Sequence, residues 1–100
     1  MREPLPVRIS SRASRHIRQL EEWWRRNRTA APNAVREELQ RVLGVITITP
    51  LLGTDVNLPN VRRIHITRIW QFLYYRVRTN PDRIEVLALW SDSRGEGPPI

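Results

Sequence analysis

The spacing of apolar positions changes character twice along the chain, and the two changes divide it into elements. After Pro4 and Pro6, Val7-Arg8-Ile9-Ser10 alternates apolar with polar, the period of a short strand. Ser10 or Ser11 then offers a cap to a helix. In that helix Ala13, Ile17, Leu20 and Trp24 fall at i, i+4, i+7 and i+11, with Arg12, Arg15, Arg18, Glu22 and Arg25 on the other side. Positions 27–32 break the pattern. From Asn33, a second cap, Val35, Leu39, Val42, Leu43 and Ile46 form another stripe, with Glu37 and Glu38 in the first turns where the helix dipole favours them. Gly44, a β-branched run over 45–49 and Pro50 predict fraying at its end.

Period two returns after loop-forming sequence around Pro50-Leu51-Leu52-Gly53 and Asn57-Leu58-Pro59-Asn60. Strands are predicted over 61–67, 72–78 and 83–90, with separators short enough for hairpins and too short for crossovers. The fold class is therefore α+β: a short N-terminal strand, an antiparallel helical hairpin, then a three-stranded antiparallel meander. It forms a single domain over 1–100, with loose Pro-containing ends at about 1–5 and 95–100. Strand alternation puts Ile64 and Ile66 on the face covered by the helices. It sends Arg63, His65, Tyr74 and Arg76 to the opposite face, with at most one of Tyr74 and Tyr75 buried. The final strand is apolar on both faces apart from Glu85, as a strand covered on two sides is. A bulge in any strand would invert the residues beyond it.

Composition narrows the chemistry. All 17 basic residues are Arg, against 10 acidic residues, giving a formal charge of +7. That field attracts phosphates, acidic partners or anionic surfaces, and guanidinium forks onto oxyanions at any working pH. Without cysteine there is no disulfide, thiol nucleophile or Cys-based zinc site. His16 and His65, far apart in sequence, give no basis for a metal centre, and no cofactor is expected. The chain lacks the apolar run of a signal peptide or a membrane span, which predicts a cytoplasmic protein with no membrane partner.

The order and spacing of the short strand, the hairpin with Ala13 and Glu21-Glu22-Trp23-Trp24, Pro50-Leu51-Leu52-Gly53, Val61-Arg62-Arg63-Ile64, Leu73-Tyr74-Tyr75-Arg76-Val77 and Leu87-Ala88-Leu89-Trp90-Ser91-Asp92-Ser93-Arg94 resembles the RelE/ParE superfamily of toxins from type II toxin-antitoxin modules, the plasmid-stabilisation type. The resemblance implies a toxin neutralised by an antitoxin encoded alongside, with operator DNA reached only through that antitoxin. Its target is DNA gyrase or the ribosome with its mRNA. Ribonuclease members often carry His after the Trp of the last strand. Here Ser91 stands there, and a neutral serine is a poor general acid or base near pH 7. Gyrase is therefore favoured slightly. The alternatives are a ribosome-dependent mRNA endoribonuclease and an inactive toxin-like partner that serves only in an antitoxin/DNA repressor complex.

Several residues carry two readings. Catalytic candidates for the nuclease are His65, Arg63, Arg76 and Arg94, and the plain alternative for His65 is a satisfied surface side chain. Target contacts fall to Arg62, Arg63, Tyr74, Arg76, Ser91 and Arg94, although Arg62 equally well fastens the loop before its strand. Trp23 and Trp70 are the antitoxin-binding candidates, each also readable as a rim residue capped by its own chain. His16 and the remaining helix arginines, including Arg26 and Arg28, read as a solvated or flanking face without chemistry.

Overall fold

The computed structural model of the protein describes residues 3–100; the part of the expected loose N-terminal end at positions 1 and 2 lies outside the described residues. Its elements are β1 (Val7–Ile9), α1 (Ser11–Asn27), α2 (Ala34–Ile46), β2 (Thr54–Asp55), β3 (Val61–Ile66), a single 3-10 turn (Thr67–Ile69), β4 (Gln71–Arg78) and β5 (Arg83–Ser91). The helical hairpin and the meander are those the periodicity predicts. Ser10 caps α1, its hydroxyl oxygen accepting from the Ala13 amide at 3.0 Å. Asn33 begins α2 without a side-chain cap.

The sheet is wider than the meander. It has five strands in the order β1-β5-β4-β3-β2, and β1 runs parallel to β5 while the other pairs are antiparallel. The two added strands are short, and β2 has no two-residue alternation to reveal it. Docking of β1 makes β5 a central strand, which accounts for its apolar run. The entry segment is fastened further by Leu5 N–H to Thr47 O and Ile84 N–H to Pro6 O, both 2.9 Å.

The pairing of β4 with β5 slips by one residue: Tyr75 faces Val86 but Tyr74 faces Ala88, leaving Leu87 unmatched. This bulge changes which side chains share a face. Ile84, Val86 and, beyond the bulge, Leu89 join Ile66, Leu73 and Tyr75 in the core against Ala13, Trp24, Val35, Leu39, Val42 and Ile46. Leu87, Ala88 and Trp90 join Val61, Phe72 and Tyr74 in a second cluster on the other face. Tyr74 and Tyr75 are consequently both buried, at 5% and 0% exposure, contrary to the expectation that only one is. The covering element on the second face is the C-terminal segment. Trp90 Nε1 donates to Glu96 O at 2.8 Å, the Arg12 guanidinium donates to Pro99 O, and Gly97 passes the Tyr74 hydroxyl.

One polar knot ties the loop after α2 to the sheet. The Tyr75 hydroxyl donates to Pro50 O at 2.8 Å and accepts from Gly53 N–H at 2.9 Å. Burial pushes the phenol's pKa up, so it stays protonated and able to donate. Arg62 completes the knot through Nη1 to Gly53 O at 2.8 Å and Leu51 O at 3.3 Å. A Cβ on Gly53 would sit 2.6 Å from Tyr75 Oη and 2.9 Å from Arg63 O, so only glycine fits.

Two substitutions test this knot by urea denaturation. Tyr75→Phe leaves a buried amide and a carbonyl without partners and is expected to cost ~1–3 kcal/mol. Gly53→Ala should cost at least as much, because backbone on one side and a packed ring on the other leave no direction for relief. A Tyr75→Phe midpoint equal to wild type would show that water replaces both bonds.

Candidate functional site

Functional candidates gather at the end of the sheet where β3, β4 and β5 meet the tail. Register puts His65 opposite Phe72 and Phe72 opposite Trp90, one row across three strands. Asp92 lies two residues past Trp90. Its amide donates to Trp70 O at 3.0 Å, which fixes the backbone there. Its carboxylate Oδ2 then reaches His65 Nε2 at 2.7 Å, and Thr67 Oγ1 lies 3.2 Å from the other ring nitrogen, Nδ1. The pair is solvent-accessible, with 38% of the His65 side chain and 27% of the Asp92 side chain exposed. An imidazole held between a carboxylate and a hydroxyl has a defined orientation, the arrangement from which histidine moves a proton.

The same face carries guanidinium next to aromatic surface. Arg63 lies 4.0 Å over the Phe72 ring and donates from Nη1 to Tyr74 Oη at 3.2 Å, while the His65 ring is 5.0 Å from Phe72. Arg63, His65, Phe72 and Tyr74 are therefore one contiguous patch, although Tyr74 itself is buried beneath the tail. Arg76 stands apart, opposite Val61 and Glu85, four residues along β4 from Phe72 or roughly 13 Å. Arg62 is occupied by the carbonyls of the knot.

Ser91 and Arg94 turn toward α1 instead. Ser91 pairs with Gln71, and its hydroxyl meets Ser93 Oγ at 2.8 Å. Arg94 stacks 3.9 Å over Trp90. His16, on the other wall, accepts at Nδ1 from Leu89 N–H at 3.3 Å, a strand amide beyond the reach of short β1. Burial lowers the pKa of His16, and Arg15, Arg12 and Arg94 lower it further by repulsion.

The tryptophans form a third feature. Trp24 is buried and stacks on Trp70 at 5.8 Å, with Trp23 set edge-on at 6.1 Å. Arg28 lies 5.1 Å over the Trp70 ring. Trp23 and Trp70 remain 45% and 46% exposed and border an apolar groove of about 410 Å³ floored by Leu20, Ile69 and Gln71. Trp70 holds the left-handed conformation, φ 56°, unfavourable for an aromatic residue, at the turn between β3 and β4. Its stack on Trp24 and its carbonyl bond to Asp92 hold it there.

Asp92, Thr67 and Phe72 are neighbours of His65 that residue-by-residue reading passed over. Pairing the strands in register from the hairpin lengths brings His65, Phe72 and Trp90 into line. Placing Asp92 on the His65 face requires the bulge as well, and no residue type announces it.

No family model matches the sequence, and no curated protein matches it. Seven chains of known structure do match in three dimensions. One of them, described as the chromosomal ParDE TA system from P. aeruginosa, has a TM-score of 0.62 and 13% sequence identity, covering 87% of this chain and 95% of that one. The protein shares the fold of that chain.

The buried, repelled imidazole of His16 predicts a pH dependence of stability. A histidine whose folded pKa lies below its ordinary value of 6.5 binds fewer protons folded than unfolded, so its contribution is intact above 6.5 and is lost as pH falls through and below it. Denaturant midpoints of wild type and His16→Gln between pH 8 and 5 should therefore converge on acidification. Parallel curves would show that His16 stays as protonated in the fold as in the unfolded chain.

Proposed function

We propose that this chain is the toxin of a type II toxin-antitoxin module, acting in the cytoplasm and neutralised by an antitoxin encoded beside it. The observation that carries the reading is the likeness in fold to a ParDE toxin-antitoxin structure across nearly all of both chains. The exposed Trp23 and Trp70 support it: a groove of indole surface on a +7 protein suits an arm that combines apolar side chains with carboxylates. Arg28 above Trp70 gives such a carboxylate a partner at the groove's rim. Operator DNA is reached through the antitoxin.

Inhibition of DNA gyrase by binding remains the first reading for the target, because Ser91 occupies the place of a catalytic histidine. A second reading, ribosome-dependent cleavage of mRNA, gains a specific support in the His65–Asp92 pair. There the pair would take the proton from a 2′-hydroxyl, and Arg63 would offset charge on the phosphate it attacks.

Two experiments test these readings. Trp23→Glu should weaken capture of the neighbouring gene product at least tenfold while leaving growth inhibition intact, since this exposed indole meets Trp24 only edge-on and holds no turn of the backbone. Undiminished capture would place the antitoxin elsewhere. Primer extension across abundant transcripts after induction of the chain alone separates the targets. Intact transcripts with arrested growth and lost supercoiling fit gyrase. Codon-phased cuts that disappear in His65→Ala and fall sharply in Asp92→Asn fit the nuclease and overturn the gyrase reading.

A further inference from the structure

A second cavity opens on the other side of Trp23 from the aromatic groove, between α1 and the end of β5, with a volume of about 410 Å³. Arg15, Gln19 and Trp23 form its helical wall at i, i+4 and i+8, so one face of α1 runs from a guanidinium to an indole over about 12 Å. The facing wall carries Gln71, Ser91 and Arg94. No carboxylate lines it. Neither Arg15 nor Arg94 forms an ion pair among the described residues, nor does Arg12 close by, so their charges are uncompensated. Glu96, two residues beyond Arg94, makes no ion pair with it.

Two further polar side chains, Gln71 and His16, line the cleft. Gln71 is only 9% exposed, yet no hydrogen bond from the described residues reaches its side-chain amide, which borders this cavity and the aromatic groove. The amide is not sealed from solvent, so it is open to a ligand. The Nδ1 atom of His16 is taken by the Leu89 amide, so the neutral ring carries its proton on Nε2. Burial lowers the pKa of this ring, and repulsion from Arg15, Arg12 and Arg94 lowers it further.

We propose that this cleft binds a nucleoside 5′-phosphate, its phosphate between Arg15, Arg94 and the Gln71 amide and its base against the exposed ring of Trp23. A phosphate dianion suits the excess of positive charge better than a single carboxylate, and paired guanidiniums with an amide match its several acceptor oxygens. Trp90 is already covered by Arg94, whereas Trp23 keeps an open surface for stacking. The site does not rest on the toxin reading and survives its failure. The nucleoside phosphate comes either as a free mononucleotide or as the 5′-phosphorylated end of a strand.

The test titrates the purified full-length chain, with the Gln and His side-chain NMR signals and tryptophan fluorescence as readouts. The probes are adenosine and guanosine 5′-monophosphates, adenosine, inorganic phosphate, and one RNA pentamer with and without a 5′-phosphate. A mononucleotide should shift the Gln71 amide and quench Trp23 fluorescence, binding more tightly than inorganic phosphate, with adenosine inert. Arg15→Ala and Arg94→Ala should each weaken it about tenfold or more, the loss of one charge-assisted contact. Trp23→Ala should remove the advantage over inorganic phosphate, and Arg18→Ala on the outer face should change nothing. A phosphorylated pentamer binding more tightly than the mononucleotide identifies a strand end as the ligand, and equal or weaker binding identifies the free nucleotide. The proposal is overturned if neither ligand moves the Gln71 signal, if both arginine variants bind as wild type does, or if the 5′-hydroxyl pentamer binds equally well, which would be backbone attraction to a basic protein.

Discussion

The unmatched residue Leu87 in β5 is the constraint on which the rest of the arrangement depends. With strict alternation, Ile84, Val86, Ala88, Trp90 and Asp92 would all point to the helical side. The one-residue slip hands that side to Leu89 and Ser91 and turns Ala88, Trp90 and Asp92 outward. Asp92 thereby reaches His65, Trp90 lines up behind Phe72, and Ser91 comes to border the clefts beside α1. A bulge costs a ladder position and adds local twist, and its frequent use near functional sites reflects this power to re-aim side chains. In this chain it also makes both faces of the sheet apolar at one level, which obliges the C-terminal segment to cover Tyr74.

Charge is arranged with similar economy. Glu38 is 9% exposed and accepts from Arg41 and from Arg68, which also reaches Glu37. Its carboxyl is held below the usual range, chiefly by the Arg41 hydrogen bond. This cluster ties α2 to the turn before β4, where Ile69 is buried and Trp70 is exposed. Arg78 with Glu85 and Arg26 with Glu22 lie at the surface and contribute little each. Among the arginines without a carboxylate partner, three lie over aromatic rings: Arg63 over Phe72, Arg94 over Trp90 and Arg28 over Trp70. Each guanidinium is placed over the ring's negative face, an attraction that needs no carboxylate.

Hydrophobic periodicity was enough for the two helices and the meander, because those elements bury one face each and their stripes are long. It also marked β1 through the alternation of Val7-Arg8-Ile9-Ser10, though not its parallel docking on β5, and it was insufficient for β2, whose two residues are too few for a period and form a strand because β3 supplies a ladder. Tyr74 was misjudged for a related reason. Alternation assigns a side chain to a face, and only tertiary structure decides whether a tail covers that face. The loop-fastening reading of Arg62 matches its bonds to Leu51 and Gly53, and such an interaction is invisible in sequence because its acceptors are backbone carbonyls. His16, read as a flanking residue, caps a strand amide 73 positions away and borders a basic cleft.

The tail beyond Trp90 links these observations. One backbone bond, from Asp92 N–H to Trp70 O, joins the end of β5 to the strained turn between β3 and β4. Through its carboxylate Asp92 orients His65; through its neighbours Ser91 and Arg94 the same segment forms a wall of the cleft against α1. Trp70 in turn holds its left-handed backbone because its ring is stacked on Trp24 at the end of α1. The Trp24–Trp70 stack is therefore connected to Asp92 through a single carbonyl. A protein segment docked on the indoles would press on the same element that positions the His65–Asp92 pair. Physical proximity alone thus puts an occupant of the aromatic groove one carbonyl away from the His65–Asp92 pair, without its having to cover that face.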